Sequence, residues 1–161
     1  MKHEVRVRYP VPASAVMKLF TDKDFHARKL TALGVSNFRI LESQAKGKDF
    51  SIRIELRVSL NVPSLIKKFL PAETVAIHEE SWNTKSQTGS ICVSNPSQPI
   101  EMTCATRAED DGEGCLVTYA WDVKAKFPLV GGAVEKFICS DIQGRGEREQ
   151  QAVAGLVGKK A

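Results

Sequence analysis

Histidine is scarce in this chain of 161 residues, three in all, and no two of its four cysteines form a Cys-x-x-Cys pair. Without clustered His and Cys ligands a zinc site has no support, and neither a metal nor another cofactor is expected. Cys92, Cys104, Cys115 and Cys139 are read as reduced thiols that pack as small hydrophobes, with a disulfide as the lesser alternative. No combination of Ser, Cys and His has the spacing of a nucleophilic triad, and Gly131-Gly132 lacks the context of a phosphate loop, so no catalytic residue is assigned. Long apolar runs are also missing, which excludes an integral membrane segment, and Met1 leads into Lys2-His3-Glu4-Val5 rather than an apolar signal region. The cytoplasm is the expected location. The net charge is +4, but Lys and Arg are interleaved with Asp and Glu, and no basic stripe carries aromatics. That is a mixed, solvated surface rather than a nucleic-acid footprint.

What is present is ordinary for a globular protein: 42% hydrophobic and 26% charged residues. The length predicts one domain over 1–158, able to bury a core and a cavity beside it, with a frayed tail at 159–161. Residues 2–9 alternate, with Val5, Val7 and Tyr9 on one face, as in a half-buried strand. Pro12 suits the first turn of a helix through Val16, Met17, Leu19 and Phe20, and Asp24 is placed to cap a second helix that Gly34 closes. A strand from Phe38 and Ile40 precedes the cleanest alternation in the chain, Phe50, Ile52, Ile54, Leu56, Val58 and Leu60. Leu65, Ile66, Phe69 and Leu70 then predict one face of a short helix between Pro63 and Pro71. In the next strand the alternation slips between Ile77 and Trp82, which predicts a bulge. Three more strands follow, the last two joined by the turn Asp110-Asp111-Gly112-Glu113-Gly114.

The C-terminal quarter predicts one long helix of about 28 residues, roughly 42 Å, with Val130, Val134, Phe137, Ile138, Ile142, Ala152 and Leu156 on one side. Gly144 and Gly146 each cost about 1 kcal/mol there relative to Ala, so they require a close approach to the sheet or a kink. Seven strands joined by short turns, with two short helices after the first strand, make an α+β chain. Its antiparallel sheet curves, and the terminal helix covers the concave face.

These pieces resemble the START-like superfamily, the helix-grip fold of birch-pollen-type allergens, polyketide cyclases and lipid-transfer domains. They are similar, more narrowly, to a bacterial family of unknown function within it. The matching segments are Pro12-Ala13, Thr21-Asp22, the insert from Val62 to Leu70 with Glu80 and Trp82 downstream, and Pro99-Ile100. The most specific is Phe127-Pro128-Leu129-Val130-Gly131-Gly132-Ala133-Val134-Glu135-Lys136. The resemblance implies a sheet gripping the helix around a hydrophobic cavity, and carries no catalytic residues over.

By alternation, Phe50, Ile52, Ile54, Leu56, Met102, Cys104, Tyr119, Trp121, Val134, Phe137, Ile138 and Ile142 face that cavity or fill it as core. Asp141 and Arg145, four apart on the apolar side, either hold a ligand's polar head or satisfy each other at a wet rim. His78 can share a strand face with Glu80 but not with Glu79, and a solvated face is the plainer reading. His3 and His26 show no partner pattern. The first functional expectation is a non-enzymatic carrier for a hydrophobic small molecule or lipid. The alternatives are a cyclase or dehydratase moving protons through His78, Tyr119 or Asp141, and a co-chaperone-like interaction module. The oligomeric state is not readable.

Overall fold

The computed structural model describes residues 1–158, and the expected tail lies outside them. Alternation gives β1 (Lys2–Tyr9) one dry face, with Val5, Val7 and Tyr9 buried. Helices α1 (Ala13–Phe20) and α2 (Lys23–Ala32) follow. Pro12 offers α1 no side-chain acceptor, and Asp110, remote in sequence, takes that place by accepting from the Ala13 amide at 2.8 Å. Asp22, not Asp24, caps α2: its carboxylate accepts from the Asp24 amide at 3.0 Å, and Asp24 lies in the first turn, where its charge meets the helix dipole.

Six strands come next: β2 (Phe38–Lys46), β3 (Asp49–Ser59), β4 (Glu73–Asn83), β5 (Thr88–Ser94), β6 (Ile100–Asp111) and β7 (Gly114–Ala125). Helix α3 (Gly131–Gly158) ends the described chain. The strands form one curved sheet in the order β1-β7-β6-β5-β4-β3-β2, antiparallel throughout, because hairpins join β2 to β7 in sequence and β1 returns to pair with β7. This is the expected helix-grip architecture.

Two local expectations are corrected. The register of β4 runs unbroken against β3 from Glu73 to Asn83, and the irregularity lies in β2, between Ile40 and Glu42. The slip in β4 is chemical rather than geometric: Ala76, His78, Glu80 and Trp82 form the inward row, so His78 and Glu80, expected on a solvated face, stand on the inward one. The insert is a 3-10 turn, Ser64–Ile66, that buries Ile66 and Leu70 and leaves Leu65 76% exposed. A single tight turn has no continuous α-helical face to carry all four apolar residues. Phe69 rests edge-on against Phe127, tying the insert to the loop that enters α3.

Helix α3 packs on β1 and β7 through Val134, Ile138, Ile142 and Val153. Gly146 explains how closely: a Cβ built there falls 2.6 Å from Val5 Cγ1. Close approach, and not a break in the helix, accounts for that glycine.

Candidate functional site

Because α3 lies along the β1 and β7 side, the rest of the concave face is left to α2 and to empty space. Between the sheet, α2 and α3 is a cavity of about 270 Å³. Its walls are mostly apolar side chains of β3 to β6 and of α3. Of the fourteen residues expected there, ten line it: Ile54, Leu56, Met102, Tyr119, Trp121, Phe137, Ile138, Asp141, Ile142 and Arg145. Phe50, Ile52, Cys104 and Val134 do not, although all four are buried. Phe50 and Ile52 lie further along β3, where the sheet is closed over by α2 and Phe50 stacks on His26 with ring centres 5.9 Å apart. Val134 is sealed near the start of α3, and burial pushes the Cys104 thiol up to about 12, so it behaves as a small apolar group.

The polar lining is where sequence reasoning fell short. Glu80, expected on a solvated face, is only 5% exposed. Its two oxygens are held separately: Oε2 accepts from Trp82 Nε1 at 2.8 Å, and Oε1 accepts from His78 Nε2 at 2.9 Å. His26, buried on α2, places Nε2 3.9 Å from Oε2 and donates it to the Phe20 carbonyl at 2.7 Å. Burial alone raises the Glu80 carboxyl; the His26 ring, the hydrogen bond from His78 and the Lys29 ammonium more than reverse this and hold it well below the ordinary carboxylate range. Burial pushes His26 the other way for a base, below its ordinary value, and outweighs the attraction of Glu80. Near neutral pH the carboxylate is therefore ionised beside an uncharged ring, and the pull of His26 on Glu80 acts once acid has charged the ring.

A second network borders the first. Lys29 Nζ donates to Glu149 Oε1 at 3.1 Å, linking α2 to α3, and lies 5.6 Å from the centre of the Phe20 ring. Burial lowers Lys29, but Glu149 and Glu80 together carry it above its ordinary value. Tyr9 donates to the same Glu149 oxygen at 3.3 Å, and its hydroxyl lies 3.4 Å from that of Tyr119. Burial first, and then Glu149, raise both phenols well above their usual range. Arg145 Nε donates to Asp141 Oδ2 at 2.6 Å, so that pair is self-satisfied while half-exposed at the cavity. Among the described residues no group of three His, Cys, Asp or Glu side chains is placed to hold a metal ion.

One signal pointed to Glu80 and His78. Strand β3 defines the inward face by its alternation, and its pairing sets Ile54 opposite His78, Ile52 opposite Glu80 and Phe50 opposite Trp82. Cross-strand partners share a face. His26 and Lys29 gave no such signal, since only the docking of α2 brings them in.

A family model described as a protein of unknown function, DUF2505, matches residues 4–156. The chain belongs to this family. No curated protein matches the chain. Solved structures share its fold at low identity. The Zhui aromatase/cyclase from Streptomyces sp. R1128 has a TM-score of 0.64 at 13% identity, covering 99% of this chain and 93% of that one. Ara h 8.0201 gives 0.63 at 14%, covering 96% and 98%. A START superfamily protein from Mycobacterium smegmatis gives 0.64 at 14%, covering 99% of each. These likenesses establish the START-like helix-grip fold for this family member. Among the described residues no helix is long and apolar enough to cross a membrane.

Proposed function

We propose that this DUF2505 protein binds or carries a hydrophobic small molecule or lipid between the sheet and α3. The observation that carries this reading is the cavity of about 270 Å³, with its apolar walls and its few oriented polar groups. Burying about 300 Å² of apolar ligand surface at roughly 25 cal/mol per Å² contributes several kcal/mol before the cost of association, enough for useful affinity. Ile54, Leu56, Met102, Trp121, Phe137 and Ile142 are the proposed apolar contacts, and Asp141 and Arg145 the proposed polar rim.

Native mass spectrometry of the purified protein and displacement of a lipophilic dye test the proposal together. A retained hydrophobic species, or displacement by members of a lipid and aromatic library, supports it. No retained species and no displacement by any member sinks it. The enzymatic alternative gains only proximity. His78, Tyr119 and Asp141 all line the cavity, but each is bonded elsewhere, to Glu80, Tyr9 and Arg145, and none to another of the three.

A further inference from the structure

The polar end of the cavity has an acceptor without a donor. Glu80 is a carboxylate and can only accept, so the hydrogen bond at 2.9 Å makes His78 Nε2 the donor. With the ring uncharged, the condition under which the test below is run, and its proton on Nε2, Nδ1 carries a lone pair. Among the described residues Nδ1 has no hydrogen-bond partner, and the His78 side chain, 25% exposed, lines the cavity. The tautomer is held from behind: Trp82 fixes the other oxygen of Glu80 at 2.8 Å, so the carboxylate cannot turn away from the ring.

The charge bonded to His78 is that of Glu80, which repels an anionic head. Its cationic lining is Lys29, Arg145 and Arg148, against Glu80, Asp141 and Glu149. Lys29 is engaged with Glu149 and Arg145 with Asp141, and Arg148 stands on an exposed position of α3. A ligand carboxylate brought to His78 meets a buried carboxylate and a lone pair, both repulsive. A neutral hydroxyl meets an acceptor already oriented.

We infer that His78 Nδ1 accepts a hydrogen bond from a hydroxyl group on an otherwise apolar ligand, so that the cavity takes alcohols or phenols in preference to the corresponding acids. This rests on the carrier reading and names the ligand class for it.

The test uses 2-naphthol, its methyl ether and 2-naphthoate, titrated into the full chain at mildly alkaline pH. Replacing His78 by Phe weakens naphthol about five- to tenfold, the range one buried hydrogen bond supplies, and leaves the ether unchanged. His78→Gln, which can donate to Glu80 and still offer an oxygen, recovers part of the loss. In the unaltered protein, naphthol binds more tightly than naphthoate and shifts the NMR resonance of His78 Nδ1, while the ether does not shift it. That last readout stands even if a variant fails to fold. Equal losses of naphthol and ether in His78→Phe, an unmoved Nδ1 resonance, or preference for naphthoate each overturn the inference and leave the carrier reading standing. If none of the three binds, the inference falls, and the dye and mass-spectrometric results decide the carrier reading separately.

Discussion

Replacing Gly146 by Ala tests how α3 is seated. In an exposed helix the change stabilises by about 1 kcal/mol, since Ala is the better helix former. Here the new Cβ falls 2.6 Å from Val5 Cγ1, with Val7 Cγ2 at 3.8 Å behind it. Carbon atoms in good contact lie about 3.5–4.0 Å apart, so the helix or β1 must shift by roughly 1 Å. Val5 gives little, because a β-branched side chain in a paired strand has few rotamers and its strand is fixed to β7. Overpacking of this kind costs up to about 3 kcal/mol, and after the propensity gain a net loss of about 2 kcal/mol remains. In a chain of this length that lowers Tm by about 4–8 °C. Gly144→Ala is the control: its Cβ meets only Arg148 Nη1, at 3.4 Å, the far end of a flexible side chain. It raises stability by about 0.5–1 kcal/mol. Urea unfolding followed by circular dichroism measures both, and Val5→Ala combined with Gly146→Ala recovers most of the loss if the clash is the cause. A Gly146→Ala protein as stable as the Gly144→Ala protein refutes the close-approach account.

Stability against acid falls in two windows. The His26 value is lowered in the fold, so the unfolded chain takes up the extra proton and stability drops as pH falls from the ordinary imidazole value of 6.5. Glu80 is lowered too, so its contribution is present above the ordinary value of 4.5 and is lost on further acidification. Denaturant titrations across pH show both steps; His26→Gln removes the first and shrinks the second, because the His26 charge is a main cause of the Glu80 lowering, while Glu80→Gln removes the second, and a profile unchanged in both variants contradicts the assignment. Asp110→Ala frees the Ala13 amide at the start of α1 and costs about 1 kcal/mol in thermal melts, whereas Glu113→Ala, in the exposed turn between β6 and β7, serves as its comparison.

The fold was legible because its signals are local. The alternation of β3, the turn at Gly112 and the apolar stripe of α3 each depend on residues within a few positions of one another. The cavity was partly legible for the same reason: ten of its lining residues follow from alternation and the helical wheel. Phe50 and Ile52 were misplaced because period two assigns a face and says nothing about position along a strand, so it cannot mark where α2 closes the sheet. The polar cluster needed two long-range facts, the pairing of β3 with β4 and the docking of α2. Residues as far apart as His26 and Glu80, or Lys29 and Glu149, come together only through them.

A buried carboxylate is also the feature the fold needs least. Taking Glu80 out of water costs several kcal/mol, offset by Trp82, His78 and the cations beyond them. An apolar residue of similar volume at that position avoids the cost, and replacements of that kind in other proteins are often neutral or stabilising. The inward row of β4 also continues correctly on either side, through Ala76 and Trp82. Packing therefore does not require an acid there. The arrangement around it fixes which ring nitrogen of His78 faces Glu80 and leaves the other without a hydrogen-bond partner among the described residues, on a side chain that lines the cavity; the inferred hydroxyl contact gives that arrangement a use.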